Sequence, residues 1–128
     1  MVNGTDRGQL GAEISTKDFK SMVSGVGSAL GGDDGGPTPH EYLEAALAGC
    51  TIITVKMYAQ RKQMKLVATH VSVDTISEGA VSKIARKIRF EGDLTPEERA
   101  RLLEIANKCP IHKMLHGKIE VETLVEEV

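Results

Sequence analysis

The segment from Pro39 to Arg61 is apolar or small on nearly every side when it is drawn as a helix. Its start is well marked: Thr38 is a favoured N-cap residue, Pro39 suits the first helical position, and Glu41 completes a capping box. A helix that is apolar nearly all round has to be covered on several sides. We therefore predict a central helix that packs against the same helix of a second copy, in a homodimer.

The rest of the chain predicts short strands and one further helix. Alternating apolar and polar residues predict five strands, at Leu10–Ile14, Phe19–Val23, Val67–Ile76, Val81–Phe90 and Ile119–Val125. A second capping box at Thr95 opens another helix, whose apolar stripe runs from Leu102 to Cys109. The order β-β-loop-α-β-β-α-β is typical of an α+β fold with a mostly antiparallel sheet. At this length we predict a single domain over residues 1–128.

Charge and composition argue against two classes of partner. A formal net charge of −2 gives no electrostatic reason to bind nucleic acid or an anionic membrane. Tryptophan is absent and aromatic residues make up 3% of the chain, so base-stacking platforms are not expected. Residues 1–10 are polar and lack the apolar core of a signal peptide, which predicts a cytoplasmic protein. In that compartment a disulfide is more often transient and catalytic than structural.

The chain has two cysteines, and both lie on predicted helices. Cys50 is in the middle of the first helix, and Cys109 directly precedes Pro110. Because proline cannot continue a helix but suits the first turn of a new one, a break there would make Cys109 an N-cap-like residue. Its sulfur would then face amide groups that favour a thiolate. From the residues alone, the two cysteines are either core packing or a redox couple assembled by the fold.

A zinc site is a further interpretation of the same region. Cys109, His112 and His116 are spaced i, i+3 and i+7, which could place them on one helical face, and Cys50 could complete a set of four ligands. The spacing is not that of the usual closely paired ligands. The two histidines are alternatively ordinary residues at the C-terminal end of a helix.

Two groups of basic residues are interpreted as solvated surface. One is the run from Arg61 to Lys65, and the other is the set Arg86, Lys87 and Arg89 on the second strand of the hairpin. Neither group is predicted to take part in a site.

Several segments of the sequence resemble the OsmC/Ohr family of thiol-dependent peroxidases. The similarity runs through Gly31–Leu43, Ala45–Thr51, Lys108–Leu115 and Ile119–Thr123. It covers the Pro-x-Glu-x-Leu and Ala-Gly-Cys motifs of the first helix and a Cys-Pro-x-His motif around Cys109. The resemblance implies an OsmC-like α+β fold, with a mostly antiparallel sheet, a long central helix, a second helix and an intertwined homodimer.

The resemblance also implies an activity in the oxidative stress response. Cys50 would be the thiolate that attacks an organic hydroperoxide, and Cys109 the thiol that resolves the resulting sulfenic acid as a disulfide. An external dithiol of the lipoyl type would reduce that disulfide, and neither a metal nor a bound organic cofactor is implied. Glu41 would orient the charged network of the site.

Two positions depart from the family pattern. In the hydroperoxide-resistance branch the catalytic glutamate directly follows the proline of the first helix, whereas here His40 is at that position and the carboxylate is at Glu41. The family stabilises its thiolate with an arginine from the N-terminal strands, and Arg7, the only arginine before the first helix, is the candidate. The alternative is a non-enzymatic OsmC-like dimer that binds a small apolar or thiol-reactive ligand.

Overall fold

The computed structural model describes residues 1–126 and has the predicted α+β composition, with antiparallel sheets and three α-helices. It divides into two compact units, Met1–Ala45 and Ala46–Val128. The single domain over residues 1–128 stays a prediction.

The first unit contains a three-stranded antiparallel sheet. Its strands are β1 (Asn3–Gly8), β2 (Gly11–Ser15) and β3 (Met22–Ser24), in the order β1-β2-β3. β2 and β3 confirm the two strands predicted in this region, with bounds shifted by one to three residues. β1 was not predicted, because its residues are polar and exposed along its whole length and therefore show no apolar alternation. A short 3-10 helix at Ser28–Leu30 interrupts the glycine-rich loop that follows.

The long helix α1 (Pro39–Arg61) begins and ends where the sequence predicts. Its capping box is confirmed: the Glu41 amide donates to Thr38 Oγ1 at 3.2 Å, and the Thr38 amide donates to Glu41 Oε1 at 2.9 Å. Its buried residues follow an i, i+4 spacing, at Leu47, Thr51, Val55 and Ala59. Among residues 1–126, no helix has both the length and the apolar character needed to cross a membrane.

The second unit contains an antiparallel hairpin and two further helices. The predicted hairpin is confirmed as β4 (Leu66–Ser77) and β5 (Lys83–Gly92). The predicted second helix is divided into α2 (Pro96–Ala106) and α3 (Pro110–His116), because Pro110 breaks it. Residues from α1, β4 and α2 form the core of this unit, namely Val55, Ala59, Leu66, Leu102, Ile105 and Ala106.

The start of α2 has the predicted capping box. Thr95 Oγ1 accepts a hydrogen bond from the Glu98 amide at 3.1 Å, and Glu98 Oε1 accepts one from the Thr95 amide at 2.9 Å. The box satisfies two amide groups that a helix start would otherwise leave without partners. It fixes the orientation of the helix that leads to Cys109.

The predicted final strand at Ile119–Val125 is wrong. Residues 118–126 have no regular secondary structure, and their side chains are exposed. A strand needs a neighbour to satisfy its backbone groups, and no strand of the described part of the chain pairs with this segment. Alternation of apolar residues was therefore not sufficient for a strand within a single chain.

Candidate functional site

Cys109 lies at the junction of α2 and α3, where the sequence predicts an N-cap. Its side chain is fully buried, and its sulfur accepts a hydrogen bond from the His112 amide at 3.3 Å. The same sulfur lies 3.9 Å from the hydroxyl oxygen of Thr51 on α1. Cys109 is thus held between an amide and a hydroxyl, and both of these groups can donate to a sulfur anion.

Cys50 is half-buried on α1, and its sulfur lies 3.9 Å from Thr54 Oγ1, one helical turn further on. It is the residue directly before Thr51. The fold therefore brings Cys109 against the neighbour in sequence of Cys50, although the two positions are far apart in the chain. Both cysteines are free thiols in this structure.

Arg86 on β5 is a member of this cluster, and its interpretation as solvated surface is wrong. Its guanidinium donates to Thr51 Oγ1 at 3.0 Å and to the carbonyl oxygen of Ala106 at 3.2 Å. A third hydrogen bond runs to Asn107 Oδ1 at 2.7 Å. Arg86 thus connects α1 with the C-terminal end of α2 and holds a permanent positive charge beside the hydroxyl that contacts Cys109.

A sequence signal for Arg86 exists in the alternation of β5. Successive side chains of a strand point to opposite faces, so Arg86 shares a face with Ile84 and Ile88. Lys87 and Arg89 lie on the other face and are exposed, as predicted. A charged residue on the apolar face of a strand is unusual, since burial of a charge requires partners. That mismatch indicated a structural or functional role for Arg86.

The two other predicted site residues lie in the first unit. The Thr38 amide and the Thr38 hydroxyl form hydrogen bonds with Glu41 and hold the pKa of its carboxyl below the ordinary value. Arg7 forms an ion pair with Asp33 at 3.5 Å. The roles predicted for Glu41 and Arg7 toward the Cys50 thiol stay predictions.

A cavity of about 680 Å³ lies in the second unit beside this cluster. Arg86, Asn107 and His112 line one part of it, while Phe90 and Leu103 belong to its apolar lining. Arg99 also lines it, with a guanidinium that is anchored to the Phe90 carbonyl oxygen at 2.7 Å. None of the described residues that line the cavity carries a carboxylate. It can accommodate a small organic molecule with an apolar body and a polar or anionic group.

The histidines after Cys109 form a stacked pair and not a metal cluster. The His112 and His116 ring centroids are 5.7 Å apart, with an interplanar angle of 16°. Burial lowers the pKa of His112, and the charges of Arg86 and His116 lower it further. Within residues 1–126, no group of three or more His, Cys, Asp or Glu side chains is arranged to hold a metal ion. The geometry therefore gives the zinc interpretation no support.

Solved structures that resemble this fold include proteins with descriptive names. An OsmC-like protein from Mycoplasma pneumoniae aligns with a TM-score of 0.78 and 15% identity, over 91% of this chain and 86% of its own. An organic hydroperoxide resistance protein from Legionella pneumophila aligns with a TM-score of 0.67 and 18% identity, over 91% and 88% of the two chains. The organic hydroperoxide resistance protein OhrB of Bacillus subtilis aligns with a TM-score of 0.64 and 20% identity, over 95% and 93%.

These identities establish a common fold. No curated protein sequence matches the chain. The family model described as OsmC-like protein matches residues 31–124, which include α1, both cysteines and the β4–β5 hairpin. On this match and the shared fold, the chain belongs to the OsmC-like protein family.

Proposed function

We propose that this protein is a thiol-dependent peroxidase that reduces organic hydroperoxides with Cys50 and Cys109. The observation that carries the proposal is the contact between Cys109 and Thr51, the residue that follows Cys50. Buried cysteines without a role have no need of polar partners, whereas Cys109 has a hydroxyl and an amide at its sulfur. Two solved structures of the same fold are named as organic hydroperoxide resistance proteins, which supports the choice of substrate.

The proposed reaction begins with the Cys50 thiolate. Its sulfur attacks one oxygen of the hydroperoxide, the S–O bond forms as the O–O bond breaks, and the alkoxide leaves and takes up a proton to become an alcohol. Cys50 is then a sulfenic acid. The Cys109 thiolate attacks that sulfur, so that an S–S bond forms and hydroxide leaves as water after protonation. An external dithiol of the lipoyl type restores both thiols by two exchange steps and is itself oxidised to a disulfide.

The cavity beside Arg86 supports an organic substrate over hydrogen peroxide. Its apolar lining, at residues such as Phe90 and Leu103, would take up a hydrocarbon body, whereas hydrogen peroxide has none. Glu41 is proposed to orient the charged network, and Arg7 is the candidate cation for Cys50. A cytoplasmic location belongs to the proposal, because a dithiol reductant requires a reducing compartment.

A homodimer is the proposed assembly. On α1, Ile53 is 61% exposed and Met57 is 59% exposed, so one face of the helix lacks a cover within the chain. Residues 118–126 are exposed as well and include four large apolar residues, Ile119, Val121, Leu124 and Val125. A second copy would bury these groups, and pairing with it would provide the neighbour that the predicted final strand lacks. Sedimentation of Met57→Lys beside the unmodified protein tests this assembly.

The activity is tested by the consumption of cumene hydroperoxide in the presence of dihydrolipoamide. Replacement of the attacking thiol in Cys50→Ser should reduce turnover by about a thousandfold or more. In Cys109→Ser the first turnover should survive, and a sulfenic acid should accumulate that a dimedone probe labels at Cys50. Full activity of Cys50→Ser, or labelling of Cys109 in place of Cys50, would refute the proposed roles.

A non-enzymatic ligand-binding dimer is the second candidate, and the cavity is the observation that favours it. The two functions differ in what Cys50→Ser does. If the unmodified protein consumes no hydroperoxide while Cys50→Ser binds a small apolar ligand as tightly as the unmodified chain, the cavity acts as a binding site and the enzyme proposal fails.

A further inference from the structure

The Thr51 hydroxyl is fully buried and has an unusual set of partners. It donates its only proton to the carbonyl oxygen of Leu47 at 2.7 Å and accepts a hydrogen bond from Arg86 at 3.0 Å. A hydroxyl has one donor and two acceptor positions, so one acceptor position is left for Cys109. At 3.9 Å from Thr51 Oγ1, the Cys109 thiol must therefore be the donor in this arrangement.

This arrangement suits a neutral thiol and changes when Cys109 ionises. A thiolate has no proton to donate, and the Thr51 oxygen would then face a negative sulfur. Rotation of the hydroxyl from Leu47 toward Cys109 would turn that contact into a charge-assisted hydrogen bond. The rotation costs little, because the Leu47 carbonyl lies inside α1 and accepts the helical amide of residue i+4 as well.

Arg86 determines how strongly such a hydroxyl would donate. Its guanidinium stays charged at all relevant pH values and is held in place by Ala106 and Asn107 as well as by Thr51. A cation bonded to the hydroxyl oxygen withdraws electrons from the O–H bond and makes the proton a better donor. The guanidinium thus acts on Cys109 through Thr51.

We propose that Thr51 is a hydroxyl switch, polarised by Arg86, which turns from Leu47 to Cys109 and stabilises the Cys109 thiolate. The inference rests on the proposed roles of the two cysteines and assigns Thr51 and Arg86 as positioning residues for the resolving thiol. Neither residue exchanges a proton with solvent in the cycle. The Thr51 proton only changes its acceptor.

The switch would act twice in each cycle. It stabilises the Cys109 thiolate that attacks the Cys50 sulfenic acid, and it turns back to Leu47 when the sulfur becomes neutral in the disulfide. When the external dithiol attacks Cys50, the S–S bond breaks and Cys109 leaves as a thiolate, which the switch stabilises again. A leaving thiolate that is stabilised in this way departs faster.

Other groups around Cys109 have been considered as the source of the same effect. The His112 amide donates to the sulfur, but it does so whichever residue is at position 51. The side chains of His112 and His116 on α3 and of Lys108 just before Cys109 are the other titratable groups of this segment. The lowered pKa of His112 keeps that ring neutral near pH 7, so Arg86 is the permanent charge on this side.

The test uses the full chain with Cys50→Ser, in which Cys109 is the only thiol. The readout is thiolate absorbance at 240 nm at fixed pH, which does not depend on access of a reagent to the buried sulfur. Adding Thr51→Val should lower the thiolate-to-thiol ratio by about tenfold, the value of one hydrogen bond to a charged group. Adding Thr51→Ser, which keeps a hydroxyl, should restore it to within about threefold.

Two further variants separate the switch from a packing effect. Thr69→Val also removes a buried hydroxyl, one with no hydrogen-bond partner among the described residues, and should leave the ratio unchanged. Arg86→Lys keeps the charge and loses the forked geometry, and it should give a ratio below that of the parent protein. It also provides the test if Thr51→Val fails to fold. An unchanged thiolate signal in folded Thr51→Val, or in Arg86→Lys, would overturn the switch.

These measurements remain informative whether or not the protein is a peroxidase. They monitor Cys109 in a protein without Cys50 and need no hydroperoxide. Failure of turnover in the unmodified chain would refute the proposed function and leave the thiolate comparison intact. A normal turnover with no effect of Thr51→Val on the thiolate signal would refute the switch alone.

Discussion

Cys109 is fully buried with an amide and a hydroxyl at its sulfur, whereas Cys50 is half-buried and its sulfur contacts one hydroxyl, that of Thr54. The difference follows from one step along α1. Thr51 belongs to the buried i, i+4 stripe of the helix, and Cys50, one residue earlier, is rotated by about 100° from it. The same helix can therefore present one thiol toward a substrate while its next residue holds the other thiol in the core.

The largest expected difference between the two thiols is their reaction with a small neutral alkylating reagent. In the native protein Cys50 should be modified on the order of a hundredfold faster, because Cys109 reacts only after local opening of the structure. The rates are measured separately in Cys109→Ser and Cys50→Ser by mass spectrometry, with the unfolded chains as the reference for equal access. If Cys109 reacted first, the burial contrast between the two thiols would be wrong.

The two faces of α1 should differ in the same way in their effect on stability. Val55 is fully buried, and Val55→Ala should lower the free energy of unfolding by about 2 kcal/mol through lost burial and a cavity. Ile53→Ala removes an exposed side chain and should change it by less than about 0.5 kcal/mol at concentrations where the chain is monomeric. Urea denaturation measures both values.

Ile53→Ala also sharpens the dimer proposal. If a second copy covers the exposed face of α1, the variant should weaken self-association in sedimentation experiments while the monomer keeps its stability. A loss of 2 kcal/mol or more in the monomer would place Ile53 in the core of the chain and contradict the contrast between the faces.

The parts of the site that were predictable from the sequence are those that depend on neighbours in the chain. Both capping boxes depend on two residues three positions apart, at Thr38 and at Thr95, and both are present. The N-cap position of Cys109 follows from the adjacent Pro110 in the same way. Such contacts lie within one helical turn and need no knowledge of the tertiary fold.

The parts that were missed depend on partners that are distant in sequence. The contact of Arg86 with Thr51 joins a strand to a helix 35 positions earlier, and only the parity of β5 pointed to it. β1 forms from polar residues because β2 supplies its hydrogen bonds, and the predicted final strand has no such neighbour within the described chain. Strand formation was therefore decided by pairing, which the local pattern does not contain.

The caps at the starts of α1 and α2 should contribute similar stability, although they precede the two different thiols. Thr38→Ala and Thr95→Ala should each lower the free energy of unfolding by about 1 kcal/mol, the usual cost of a lost N-cap. Each is compared with the matching serine variant, which keeps the capping oxygen and should be close to the unmodified protein. A serine variant as unstable as the alanine variant would show that the methyl group, and not the cap, is responsible.

The smallest expected effect concerns the charge that distinguishes the surroundings of Cys109. Burial, Arg86 and His116 lower the pKa of His112 from its ordinary value near 6.5. Because the unfolded chain then binds a proton at higher pH than the folded one, the contribution of this group to stability falls as the pH drops below about 6.5 and stops falling below the lowered pKa. Arg86→Gln removes one of the three causes and should raise the pKa of His112, measured by the NMR titration of its ring. Arg89→Gln removes an equal charge from the exposed face of the same strand and should leave that titration in place. An equal displacement in both variants would mean that His112 senses the net charge of the protein, and the guanidinium of Arg86 would then have no privileged position on the Cys109 side.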